Sequence, residues 1–165
     1  MTRWTTAIAL GLLLLTVGCG QDNADEQPGY AIAEDGLAIH ATADLAVAQP
    51  GDTITVSVRI ENTSDQTIRW TARNTAPVYV RVQEESELEM GLWQDMTVYP
   101  EMAGMAITPH EFAPGEKKTY TMNIPVEPDW PRGEVVRLAV HPTGRRELTG
   151  TIKVKVAASD EPDSE

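Results

Sequence analysis

The sequence predicts an all-β protein: one antiparallel β-sandwich of seven or eight strands, with acidic tails that stay disordered. Three observations predict it. Between Leu37 and Ala157 apolar residues recur mostly with a period of two, and no helical stripe appears. Turn signals rich in Gly, Pro, Asn and Asp interrupt that pattern about every 10 residues. Twelve glycines and eleven prolines suit short strands and tight turns.

The chain opens with Arg3, an apolar run from Ala7 to Leu15, then Thr16-Val17-Gly18 ahead of Cys19. A basic start, a short apolar core and small residues mark an export signal over 1–18. The run is shorter than the roughly 20 apolar residues that span a bilayer. It resembles the lipobox of bacterial lipoproteins, where the cysteine is acylated and becomes the first mature residue. Thr16 stands where that pattern usually has Leu, while Gly18 and Cys19 fit. The resemblance implies lipid attachment at Cys19, the membrane as a partner, and a place in the bacterial cell envelope facing outside the cytoplasm. The alternative is an ordinary secretory signal with an incidental cysteine. Cys19 is the sole cysteine, so no disulfide forms within the chain. Acylation accounts for a lone thiol in an oxidising compartment.

Residues 19–36 follow as a flexible acidic tether, with Asp22, Asp25, Glu26, Glu34, Asp35 and no base. Residues 158–165 form a second acidic tail holding Asp160, Glu161, Asp163 and Glu165. The formal net charge is −12 and sits mainly in these ends. No basic face for nucleic acid is present.

The folded part runs from 37 to 157. Its first strand lies around Leu37–Thr42. Thr53–Ile60 alternates without fault, placing Ile54, Val56, Val58 and Ile60 on one face. Asn62-Thr63-Ser64-Asp65 supplies a turn, because short polar side chains bond back to their own backbone. Thr67–Ala72, Val78–Val82 and a weaker Trp93–Tyr99 follow. The turn Ala113-Pro114-Gly115-Glu116 introduces Lys118–Ile124. Glu134–Val140 and Leu148–Val156 make a closing hairpin around Pro142-Thr143-Gly144. Lys153 and Lys155, on the outer face of the last strand, guard a sheet edge.

Two segments carry a family resemblance. The strand ending in Glu61-Asn62-Thr63-Ser64-Asp65-Gln66-Thr67-Ile68, and the later Phe112-Ala113-Pro114-Gly115-Glu116-Lys117-Lys118-Thr119-Tyr120, resemble the bacterial immunoglobulin-like modules of the BsuPI type. That family is named for an intracellular proteinase inhibitor. Gly91-Leu92-Trp93-Gln94-Asp95 stands where its Trp-bearing segment falls. The family's Tyr-Asp-Phe-like triplet is replaced by Val78-Tyr79-Val80, and its paired tryptophans are reduced to Trp93. The resemblance covers roughly 37–157. It implies an immunoglobulin-like sandwich and a protein partner, a protease among the candidates.

Catalysis finds no constellation. His40, His110 and His141 are far apart and match no zinc spacing. Ser57, Ser64 and Ser86 lack the context of a nucleophile elbow. The reading is a non-catalytic, membrane-tethered binding module without a cofactor. Loops 84–112 and 125–133 are expected to carry its contacts, with Trp93, Trp130 and Arg132 as partner-binding residues, since Trp and Arg dominate interface hot spots. Trp130 either caps the sandwich or stands exposed as an anchor. Met90, Met96, Met102 and Met105 crowd one stretch, followed by His110. Thioethers fill irregular gaps in cores; they also suit Cu(I), which makes a copper-handling lipoprotein the alternative.

Overall fold

The computed structural model describes residues 29–85 and 92–158. The signal segment, Cys19, Met90 and the tail from 159 lie outside the described residues, as does most of the acidic tether. Eleven strands and no helix are present among the described residues. They are β1 (Tyr30–Ile32), β2 (Leu37–Ala43), β3 (Val47–Ala48), β4 (Thr53–Asn62), β5 (Ile68–Ala72), β6 (Val78–Glu85), β7 (Trp93–Tyr99), β8 (Thr108–Phe112), β9 (Lys117–Pro125), β10 (Val135–Pro142) and β11 (Gly150–Val156). The fold is an immunoglobulin-like β-sandwich. One sheet has the order β1-β2-β4-β9 and the other β3-β11-β10-β6-β7, while β5 and β8 pair separately. Every pairing is antiparallel except β3 with β11.

The period-two pattern explains the core. Ile54, Val56, Val58 and Ile60 of β4 are sealed from solvent, as are Val78, Val80 and Val82 of β6, Val136, Leu138 and Val140 of β10, and Val154 and Val156 of β11. Side chains from both sheets join one apolar cluster. Burying each contributes about 1.5–3 kcal/mol, before conformational entropy is set against it.

Three strands escaped the periodicity. β1 lies inside the stretch expected to be tether, so among the described residues strand pairing already starts ahead of Leu37. Three residues in an acidic setting carry little apolar signal; backbone pairing holds them instead. The Gly29 amide donates to the Thr151 carbonyl at 2.6 Å and the Ala41 amide donates to the Gly29 carbonyl at 2.8 Å. A Cβ on Gly150 would lie 2.4 Å from that same carbonyl oxygen, so the approach requires glycine. β3 is two residues long, yet it pairs beyond β11 through Lys155↔Val47 and Val156↔Ala48. The last strand is therefore not the sheet's edge, and Lys153 and Lys155 do not guard one alone. β8 falls within the stretch 84–112 expected to carry loop contacts. A proline is tolerated there because, among the described residues, β8 pairs with β5 alone, leaving Pro109 no second neighbour to serve.

The two turn motifs of the family resemblance meet at one residue. Asn62 is fully buried. Its Nδ2 donates to the Phe112 carbonyl at 2.9 Å and to the Gln66 carbonyl at 2.7 Å. Its Oδ1 accepts from the Ser64 amide and hydroxyl at 3.0 and 2.8 Å. Its backbone bonds Gly115 and Glu116 of the other turn.

Candidate functional site

The sandwich is sealed along β4 and open along β9. Strand β9 is the last in its sheet, hydrogen-bonded to β4 on one side only among the described residues. Its core-facing side chains Tyr120 and Met122 are only partly buried, unlike their β4 partners Val58 and Val56. Opposite them, the connection from β7 to β8 carries Met102, Met105 and Ile107 at 91%, 96% and 80% exposure. This connection is pinned at one point. The Gly104 amide donates to Thr75 Oγ1 at 3.0 Å, and the Thr75 amide donates back to the Gly104 carbonyl at 2.9 Å. A Cβ on Gly104 would sit 3.1 Å from Thr75 Oγ1, so glycine lets the two chains approach. The result is a cleft of about 540 Å³ between β9 and the 100–107 loop, lined by Pro77, Pro100, Met102, Tyr120 and Met122 among others. Of the exposed apolar side chains on this connection, Met102 lines the cleft, and apolar side chains left exposed beside a cleft mark a candidate binding place.

The residues expected to bind partners fall in different places. Trp130 is 2% exposed and belongs to the core, so it is a capping residue and not an anchor. The turn around Pro131 and Gly133 folds back, the Gly133 amide donating to the Val156 carbonyl, and that buries the ring. Arg132 remains exposed on the surface. Trp93, at the start of β7, is half-buried beneath the Arg137 guanidinium, 5.7 Å from its ring centre. The stretch 84–112, expected to carry loop contacts, contains the end of β6 and all of β7 and β8, with 100–107 connecting β7 to β8.

Among the described residues, Met96 and Met102 line different spaces. Met96 packs against the core and lines a hollow beside Trp130. Met102 lines the β9 cleft, and His110 lines neither space. The His110 ring stacks on Trp70 at 4.9 Å, and its Nε2 is buried without a hydrogen-bond partner. Gap-filling thus describes Met96, whereas Met102 and Met105 point outward. Met96 lies on β7 and His110 on β8, strands of different sheets, and Met90 lies outside the described residues. Among the described residues no group of three His, Cys, Asp or Glu side chains is placed to hold a metal ion.

Two imidazoles set a pH dependence. Burial, and secondarily Lys118, pulls His110 below the ordinary 6.5. Burial likewise lowers His141, opposed by its contact with the Pro142 carbonyl and reinforced by Arg146 and Arg81. Both rings stay neutral in the fold while the unfolded chain takes up protons below about pH 6.5. Their stabilisation is therefore present above that pH and is lost as pH falls toward their folded values. Asp44 and Glu116 act lower down. Each is held below its ordinary value first by a backbone amide, from Thr55 and Ala113 respectively. We expect the urea midpoint to drop between about pH 7.5 and 5.5, and the drop to shrink in a His110→Gln, His141→Gln double variant.

No family model matches the chain, and no curated protein matches it. Several solved structures align with part of it. Pseudomonas fluorescens alkylpurine DNA glycosylase AlkC, bound to DNA containing an abasic site analog, aligns at TM-score 0.49 and 15% identity, covering 74% of this chain and 31% of that one. Bacillus subtilis Spo0M, a sporulation control protein, aligns at TM-score 0.49 and 11% identity, covering 73% and 49%. A Paenibacillus cycloisomaltooligosaccharide glucanotransferase aligns at TM-score 0.46 and 13% identity, covering 72% and 14%. This chain thus spans less than half the length of each of these proteins.

Proposed function

We propose that this protein is a non-catalytic binding module of the bacterial cell envelope, tethered through a lipid on Cys19, that takes an extended apolar segment of another protein into the cleft beside β9. One observation carries the reading: Met102 stands exposed in a cleft beside a sheet edge whose inward side chains Tyr120 and Met122 are incompletely covered. An incoming strand hydrogen-bonds to the free side of β9 and lays alternate side chains against Tyr120, Met122 and Met102. Main-chain bonds give affinity, and the apolar cleft gives selectivity. The resemblance to BsuPI modules supports a protein partner and adds a protease to the classes that supply the strand.

The test is photocrosslinking in the native envelope, with benzoylphenylalanine in place of Thr121 on β9. The expected result is an adduct with a discrete protein. It should be lost when Met102 and Ile107 are changed to Asp, and absent when the probe replaces Lys153. No protein adduct, an adduct with lipid alone, or one that survives both Asp substitutions contradicts the reading.

A further inference from the structure

A second hollow lies on the outer face of the β10-β6-β7 sheet, and its charge runs against that of the chain. Val80 and Val82 point into the core, so the alternate residues Tyr79 and Arg81 point out. His141 stands beside Tyr79 in register, its ring stacked at 6.0 Å. Arg73, from the β5–β6 connection, and Arg146, from the β10–β11 turn, complete the walls of a hollow of about 510 Å³. None of its lining residues is an acid, although the chain carries a net charge of −12.

Its arginines differ in their partners. Arg81 is satisfied from the side by Asp95, which Gln83 also holds at 2.8 Å. Arg73 and Arg146 make no ion pair or side-chain hydrogen bond among the described residues, whereas Arg59, Arg69 and Arg145 each pair with a carboxylate. With no partner among the described residues, these two guanidiniums flanking one hollow can take an anion from outside. Asn74, which also lines the hollow, has a buried Oδ1 without a hydrogen-bond partner.

We propose that this hollow binds a phosphomonoester. Two unmatched positive charges suit a group that carries about −1.5 to −2 at neutral pH. Guanidinium forks fit phosphate oxygens bidentately. A hollow of this size takes a small polyol phosphate, whose hydroxyls reach Asn74 and the Tyr79–His141 pair. The same group is offered by a soluble metabolite and by the headgroup of a lipid, so the test needs two arms.

The full chain in neutral detergent micelles is titrated calorimetrically with glycerol 3-phosphate, and separately with short-chain phosphatidate mixed into the micelles. Saturable binding in at least one arm is expected, and the arm that binds names the source. Arg73→Gln and Arg146→Gln should each weaken it about tenfold or more, the effect of losing one charge-assisted contact, while Lys153→Gln leaves it unchanged. Absence of saturable binding in both arms overturns the proposal. So does binding that the two arginine substitutions leave intact, or that Lys153→Gln weakens equally. Since the β9 cleft shares none of these residues, loss of this site leaves the strand-binding reading untouched.

Discussion

Replacing Asn62 with Ala is expected to destabilise the fold by about 3 kcal/mol, without changing the surface exposed on unfolding. The side chain sits at the end of β4 with no solvent access and makes four hydrogen bonds. Each bond contributes roughly 1 kcal/mol net, but a buried group left without a partner costs about 1–3 kcal/mol. The Phe112 carbonyl is the costly one, because its bond is buried; the Gln66 carbonyl and the Ser64 hydroxyl lie nearer the surface and recover water. Asn62→Asp keeps the acceptor and removes both donors while burying a charge, so it should be no better tolerated. Urea denaturation measures both. A loss under about 1 kcal/mol for Asn62→Ala would show that the two turns hold together without it.

Trp130→Ala is expected to cost about 3–5 kcal/mol, the range for emptying a large aromatic from a core. Its ring packs in the same cluster as the apolar residues of both sheets. Trp93→Ala and Arg132→Ala should each cost less than about 1 kcal/mol, since one is half-buried at a strand end and the other is exposed. Thermal or urea unfolding of the three variants separates the roles. Were Trp130→Ala as stable as Arg132→Ala, the capping assignment would be wrong and the exposed-anchor reading would return.

The long strands were legible because burying one face forces strict alternation. Trp93–Tyr99, read as weak, is a strand with those same ends. β1, β3 and β8 were not legible. They are short, and their stability comes from backbone pairing to neighbours that no local window contains. β5 and β8 pair with each other across a long stretch of sequence, which brings Trp70, His110 and Phe112 into one stack. A lone His110 in sequence gives no sign of this. The β9 cleft was half legible. The methionine cluster drew attention to the right segment, but sequence alone does not separate Met96, which faces inward, from Met102 and Met105, which do not. The signal that Tyr120 and Met122 border an opening was the substitution of Tyr and Met for the Val and Ile of the sealed strands. Arg73 and Arg146 are far apart in sequence and meet only because a turn and a connection frame the same sheet face.

The account depends on β9 being an edge that nothing among the described residues satisfies. Residue-resolved amide exchange of the folded protein alone addresses it directly. In an antiparallel strand alternate amides face the neighbour and face away. Alternate amides within Thr119–Asn123 should therefore exchange quickly while those of β4, flanked by β2 and β9, stay protected. Uniform slow exchange along β9 in the monomer would mean that the edge is already covered, and the proposed docking strand would have no place to bind.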